Sequence, residues 1–423
     1  MTYRFLTKLL FFAPFCAQAQ PDSLRVMTYN LTNYGNPQTG CTSANNGPAV
    51  KNPEFKNIMK YVMPDIMSAN ELNTNPVLAN GFLTNVLNTD GITYYKRSAS
   101  VVESGTLTSM IFYNSDKLVL AQQFSVQTTT RLTPHCRFYL KTTELANGDT
   151  IWINTLSTHL KAGTATSDQT ERAAMTQTIR TYLNNWPKKE NFMIMGDFNV
   201  YKSSEQAWIN LTSTGTQAAF QFIDPVNRVG TWNNNASFSD VHTQCPSISG
   251  NSCFSGGGLD DRFDFMLMNR HLLNDSGKIK YVPGTYHPIG NDGQHFNKAI
   301  TDAPTNNSVP ATVLNSLYVV SDHLPVMAKL QVNGTFVTAN HLPFLSQDLQ
   351  VRLIDHSLIF NNLGQFSEGE VSLWNMAGRE IAQTHLRLEN GEASWNPGTL
   401  ASGIYLVHIK TNRGNGTVKV WKE

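Results

Sequence analysis

The sequence predicts an α/β domain over residues 20–333 and a small all-β sandwich over residues 348–423, with a linker at 334–347. Three observations predict this. Strand-like apolar runs alternate with helix-period segments from residue 24 to about 331. After residue 333 no helical period is evident, and short alternating runs punctuated by glycine take over. Several of the earlier runs also stop abruptly at an Asn, Glu, His or Asp. With 423 residues, 40% of them hydrophobic, the chain is long enough for two domains with real cores.

The first nineteen residues read as a signal peptide. Arg4 and Lys8 precede the apolar "LLFFAPF", and "AQA" at 17–19 supplies small residues for cleavage. That run is too short to span a bilayer, and no later segment does so, so no stable membrane insertion is expected. Export makes Cys41, Cys136, Cys245 and Cys253 an even set in an oxidising compartment, which points to two disulfides. Four cysteines permit three connectivities; the short spacing favours Cys245–Cys253, leaving Cys41–Cys136. Zinc at His242 and Cys245 is rejected for want of a second ligand pair.

Within the first domain the strand candidates are "LRVMTY" (24–29), "SMIFY" (109–113), "IWINTLST" (151–158), "NFMIM" (191–195), "FDFMLM" (263–268) and "PVMAKLQV" (325–332). Phe55, Ile58, Met59 and Val62 fall at helical spacing before Pro64. A second helix begins near Asp168 and carries Met175, Ile179, Tyr182, Leu183 and Trp186. Asp168 and Glu171 at its start read as capping residues. Residues 281–316 read as a long polar segment, with His287 and His295 as solvated loop histidines. In the tail, "VSLWNM", "REIAQTHLRL", "IYLVHIK" and "TVKVWK" are the strands, and Trp374 and Trp395 the sandwich core.

The chemistry lies where the runs end. "MTYN" ends in Asn30, "PDIMSANE" in Glu71 and "STH" in His159. "MGDFN" gives Asp197 and Asn199 after Gly196, which leaves room beside the backbone. "RFD" gives Arg262 and Asp264, and "SDH" gives Asp322 and His323. Each fragment alone is ordinary, since an Asp-Phe-Asn turn after a strand needs no ligand. Converged, Glu71, Asp197, Asp264 and Asp322 would crowd negative charge into one cleft and require a cation. Oxygen donors suit Mg²⁺, with Mn²⁺ or Ca²⁺ as alternatives. His323, oriented by a carboxylate, is the expected activator of water.

The ordered set "MTYN…PDIMSANE…STHL…GDFN…RFDFML…SDHLPV" resembles the endonuclease/exonuclease/phosphatase family over residues 24–331. The resemblance implies a DNase I-like, four-layer sandwich of two mixed β-sheets flanked by helices, and Mg²⁺-dependent phosphoester hydrolysis. By position it implies Asn30, Glu71 and Asp322 at the metal, with Glu71 the direct ligand. His159 and Asn199 are implied as phosphate binders, with Arg262 beside them. Asp197 would orient the attacking water or protonate the leaving group, and Asp264 would orient His323. Residues 106–108 lack the glutamate that DNase I-like members carry there, which favours Asp264 as the partner of His323. The tail is similar to the C-terminal sorting domain of type IX secretion cargo, implying that machinery as a partner and a secreted or cell-surface destination.

A secreted nuclease acting on extracellular DNA or RNA, as a monomer, is the leading expectation. A phosphatase or a sphingomyelinase-like phospholipase C is the alternative. Residues 281–316 lack the exposed Trp or apolar run of lipid-acting relatives. An inactive binding module is the third reading, disfavoured because each expected polar residue is present. A net charge of +1 gives no overall field for a polyanion, so nucleic-acid contact must be local. Arg97, Arg131, Arg137, Lys161 and Arg172 are the candidates for a phosphate groove.

Overall fold

A computed structural model of the chain describes residues 22–35, 40–100, 107–215, 218–337, 349–354, 356–362, 368–376, 378–387, 392–411 and 414–422. The expected signal peptide lies outside these residues, as does most of the expected linker.

The strands up to residue 332 are β1 (Ser23–Tyr34), β2 (Ile66–Asn73), β3 (Tyr95–Arg97), β4 (Leu107–Asn114), β5 (Leu118–Gln127), β6 (Leu132–Leu140), β7 (Trp152–His159), β8 (Asn191–Asp197), β9 (Phe222–Ile223), β10 (Asp264–Asn269), β11 (Ile279–Tyr281), β12 (His287–Pro288) and β13 (Val326–Val332). They form two mixed sheets. One runs β11-β13-β1-β2-β4-β3 with β12 beside β13, the other β5-β6-β7-β8-β10-β9. Each has a parallel pair near its centre, β1/β2 in the first and β7/β8 in the second. Their outer neighbours pair antiparallel.

Side-chain alternation decides the layers. Leu24 and Val26 of β1 face Met193 and Met195 of β8 in the core between the sheets. Met27 and Tyr29 point the other way, against Phe55 and Ile58 of the helix Pro48–Val62 and Leu317 of the helix Ala311–Val320. On the far side Ile194 and Leu267 pack on Met175, Ile179 and Leu183 of the helix Thr166–Asn184. The result is helices, sheet, sheet, helices. Pro48 opens its helix with φ already set for it. Left-handed Met63 (φ 47°) closes that helix ahead of Pro64. Asp168 accepts from Ala165 N at 3.2 Å, as a cap does, whereas Glu171 hydrogen-bonds Thr130 instead.

Residues 281–316 are less open than the sequence suggests. His295 is buried, with Nδ1 2.7 Å from Asp292 Oδ1 and Nε2 3.0 Å from the carbonyl oxygens of Asp302 and Pro304. It staples the segment to itself rather than facing solvent; His287 is exposed.

Gly196 shows what its missing side chain makes room for. Its φ is 143°, and a Cβ there would stand 1.8 Å from Thr158 O on the parallel neighbour β7. The close approach is by the sheet's own backbone. Gly196→Ala is expected to lower stability by about 2–3 kcal/mol, through left-handed strain and forced separation of β7 from β8. Urea unfolding measures it, and a loss within error of zero would contradict this account.

The tail forms two antiparallel sheets, one of strands Leu349–Ile354, Ser357–Asn362 and Glu392–Trp395, the other of Glu380–Arg387, Glu368–Asn375, Gly403–Thr411 and Gly414–Lys422. Leu358, Phe360, Val371, Leu373, Val407 and Ile409 form a common core, with Trp395 packed against it.

Candidate functional site

The strand ends singled out by sequence arrive at one place because register brings them there. Asn30 pairs with Asn70 across β1/β2, His159 with Asp197 across β7/β8, and Asp264 with Asp197 across β8/β10. Glu71, His159, Asp197, Asn199, Asp322 and His323 line one pocket of about 460 Å³. Asn30 and Asp264 are fully buried next to it. Asn70 ties the two sheets beneath the pocket: its Oδ1 accepts from Asp197 N at 3.2 Å and its Nδ2 donates to Thr158 O at 3.2 Å.

Glu71 and Asp197 share one donor. Asn30 Nδ2 lies 3.0 Å from Glu71 Oε1 and 3.0 Å from Asp197 Oδ2. Thr32 N donates to Asn30 Oδ1 at 2.9 Å, so the amide oxygen of Asn30 faces backbone and its NH₂ faces the carboxylates. Glu71 itself has a left-handed backbone (φ 60°), at an irregularity in the β1/β2/β4 pairing. Strain of this kind is tolerated where a side chain must be aimed. Asp197 Oδ1 accepts from Asn199 N at 3.0 Å, and Asn199 Nδ2 donates to Leu160 O at 3.2 Å.

His323 stands against this group. Its Nδ1 is 2.7 Å from Asp264 Oδ2, and its Nε2 is 3.9 Å from Asp197 Oδ2. Burial pulls its pKa down, but the charge and hydrogen bond of Asp264, with Asp197 and Asp322 beyond, outweigh it and hold the pKa well above the usual histidine range. His159 goes the other way: burial, then Arg131, then His323 depress it. Burial raises Asp197, helped by Asp264 and Glu71 and opposed by His323 and Asn30. Two neighbouring histidines are thus driven apart in proton affinity.

Glu71, His159 and Asp197 bring ligand atoms within 4.8 Å of one another. Of the expected Asn30, Glu71 and Asp322, Glu71 belongs to this group and the other two stand beside it. Asn30 turns its NH₂ inward, and Asp322 has both oxygens committed, Oδ1 to Thr32 Oγ1 at 2.5 Å and Oδ2 to Ser255 N at 2.9 Å.

Arg262 requires correction. It is completely buried, with its fork closed on Asp224 (2.8 and 3.0 Å) and on Tyr286 Oη at 3.1 Å, so it cannot meet a substrate phosphate. Arg137 is likewise held by Glu190 and Arg172 by Glu205. Arg131 does line the pocket, pinned through Nη1 to the carbonyls of His159 and Leu160. The cysteine pairing is also different. The disulfide is Cys41–Cys253, and Cys136 and Cys245 are free and buried. Closeness in sequence did not bring Cys245 to Cys253; instead Cys245 N binds Gly258 O and its side chain turns inward. The disulfide anchors the wall at 252–255, which carries Ser255 to Asp322.

Sequence reasoning missed Gln244, whose Nε2 lies 2.8 Å from His323 Nε2, and Thr32, which holds Asp322. Neither stands in a run with a recognisable period. It also missed Lys51, buried, whose pKa burial lowers to about 7 against the opposing pull of Asp322 and Glu71.

No curated protein matches the sequence. Solved structures with a similar fold include an endonuclease/exonuclease/phosphatase from Bacteroides vulgatus, at 15% identity and TM-score 0.47, covering 74% of this chain and 99% of that one. The human Nocturnin catalytic domain with bound sulfate matches at 15% identity and TM-score 0.40, over 74% and 96%. D. rerio TDP2 complexed with single strand DNA product matches at 11% identity and TM-score 0.43, over 73% and 98%. None of the helices among the described residues is long and apolar enough to cross a membrane. Residues 353–423 match the family model of the Secretion system C-terminal sorting domain, and the chain carries that domain at its C-terminus.

Proposed function

We propose that the chain is a secreted, divalent-metal-dependent phosphodiesterase acting as a nuclease on extracellular DNA or RNA. The observation that carries this is His323, bound to Asp264 through Nδ1 at 2.7 Å while Nε2 faces the pocket shared with Glu71, His159 and Asp197. A carboxylate on Nδ1 fixes the tautomer, and a cation held by Glu71 and Asp197 would offset the negative charge that favours the doubly protonated ring and free Nε2 to accept a proton.

The residues fit a hard cation. Glu71 and Asp197 are close carboxylates that share one amide donor and, among the described residues, pair with no Lys or Arg. Leaving such a pair uncompensated is costly, and oxygen donors suit Mg²⁺, with Mn²⁺ or Ca²⁺ as substitutes. Glu71 would be the direct ligand, with Asn30 and Asp322 ordering the groups around it. When bound, the cation would polarise a phosphoryl oxygen and offset charge on the leaving oxygen.

The remaining work falls to side chains. His159 and Asn199 would take phosphate oxygens, and Asp197 would orient the water facing His323. His323 Nε2 would accept that water's proton as its oxygen bonds phosphorus and the leaving oxygen departs. The sorting domain supports export by the type IX route, with residues 1–19 as signal peptide, 20–333 as catalytic domain, and a monomer as the working unit.

The test offers the full chain plasmid DNA, single-stranded RNA, sphingomyelin and a phosphomonoester, with Mg²⁺ or with chelator. Nucleic-acid cleavage that chelator abolishes is the expected result. Hydrolysis of lipid or monoester without any of nucleic acid would overturn the substrate assignment.

A further inference from the structure

At its site end β1 leaves the extended conformation. Thr32 (φ 43°) and Asn33 (φ 51°) are successive left-handed residues, and neither is glycine. Their polar groups are handed to the site. Thr32 N donates to Asn30 Oδ1 at 2.9 Å, Thr32 Oγ1 to Asp322 Oδ1 at 2.5 Å, and Asn33 N to Glu71 Oε2 at 2.9 Å. The crook of β1 therefore aims Asn30, Asp322 and Glu71 together, and something must hold the crook.

Lys51 does. It reaches from the first turn of the helix Pro48–Val62, is 2% exposed, and donates from Nζ to Leu31 O at 2.8 Å and to Thr32 O at 2.6 Å. Among the described residues it makes no ion pair, which is unusual for a buried lysine. Both of these bonds go to the carbonyls on either side of Thr32, the first residue of the bend. We propose that Lys51 is a positioning residue that fixes the cation site through the backbone of residues 31–33. The proposal rests on the reading of Glu71 as a cation ligand.

Two plainer roles give different results. As a countercharge to Glu71 and Asp322, Lys51 would repel the cation, so its removal would tighten binding. As a core residue only, its removal would lower stability without a selective effect on binding. Acting through the crook, its removal must weaken binding and share that effect with Thr32.

The experiment measures Mn²⁺ binding to the full chain by isothermal titration calorimetry, beside thermal unfolding and the kcat and KM for an oligonucleotide. The variants are Lys51→Met, Thr32→Val and the double variant. Each single variant is expected to weaken Mn²⁺ about tenfold or more, with KM nearly unchanged. The double is expected to be no more than about threefold weaker than the worse single, because both act through one linkage. Unchanged or tighter Mn²⁺ binding in folded Lys51→Met overturns the proposal, as do losses that multiply. Should Lys51→Met not fold, Thr32→Val decides, and wild-type binding there is fatal. A wild-type chain that binds no Mn²⁺ defeats the cation reading first, and does so before any variant is made.

Discussion

Asp264→Asn is expected to lower kcat by about 10²–10⁴-fold while the chain still folds. Asp264 is fully buried, accepts a hydrogen bond from His323 Nδ1 through Oδ2, and leaves Oδ1 without a hydrogen-bond partner among the described residues. An asparagine has two ways to sit there. Turning its NH₂ to Nδ1 strands the proton on Nε2, which then cannot accept from water. Turning its oxygen to Nδ1 buries the NH₂ where Oδ1 had nothing to bind. His323→Ala should lose as much activity, and the double variant scarcely more, because the two act as a unit. Stability separates them: His323→Ala leaves Asp264 buried without its partner and is expected to be the less stable single variant. Single-turnover rates and urea unfolding check both statements, and additive losses in kcat would contradict the pairing.

Arg262→Met is expected to cost about 3–5 kcal/mol of stability at neutral pH, by leaving Asp224 buried and unpaired. Burial pushes the Asp224 carboxyl up, but the charge and hydrogen bonds of Arg262 more than offset it and hold it below the usual carboxylate range. A depressed folded-state pKa gives stability that is present above the unfolded value and lost as pH falls through the folded one. The gap between wild type and Arg262→Met should therefore narrow on acidification. Asp224→Leu combined with Arg262→Met should recover most of the loss. Denaturant melts across pH 3–7 test this, and a gap that widens in acid would refute it.

The layers and strand ends were legible because both rest on local signals. The apolar runs of β1, β8 and β10 and the periodic face of Pro48–Val62 are each written in consecutive residues. β5 was not legible: its burial pattern is mostly exposed or half-buried, so "LVLAQQFSVQ" lacks a continuous apolar face. The helix Ala311–Val320 was hidden by the polar segment before it and by its lack of a polar stripe. Arg262 was misread because nearness to Asp264 in sequence says nothing of direction; it precedes β10 and turns toward Asp224. Gln244 sits on a loop, Thr32 in a bend of β1, and Lys51 acts through backbone carbonyls, none of which carries a motif.

The two sheets divide the pocket between them. Asn30 and Glu71 come from β1 and β2, whereas His159, Asp197 and Asp264 come from β7, β8 and β10. Neither half alone brings Asp264 and Glu71 together around His323. On the proposed function, catalytic competence is expected to be a late event on the folding route, gated by closure of contacts distant in the chain. Regain of turnover during refolding would time the docking of one sheet on the other, and a nascent chain would stay inert until then.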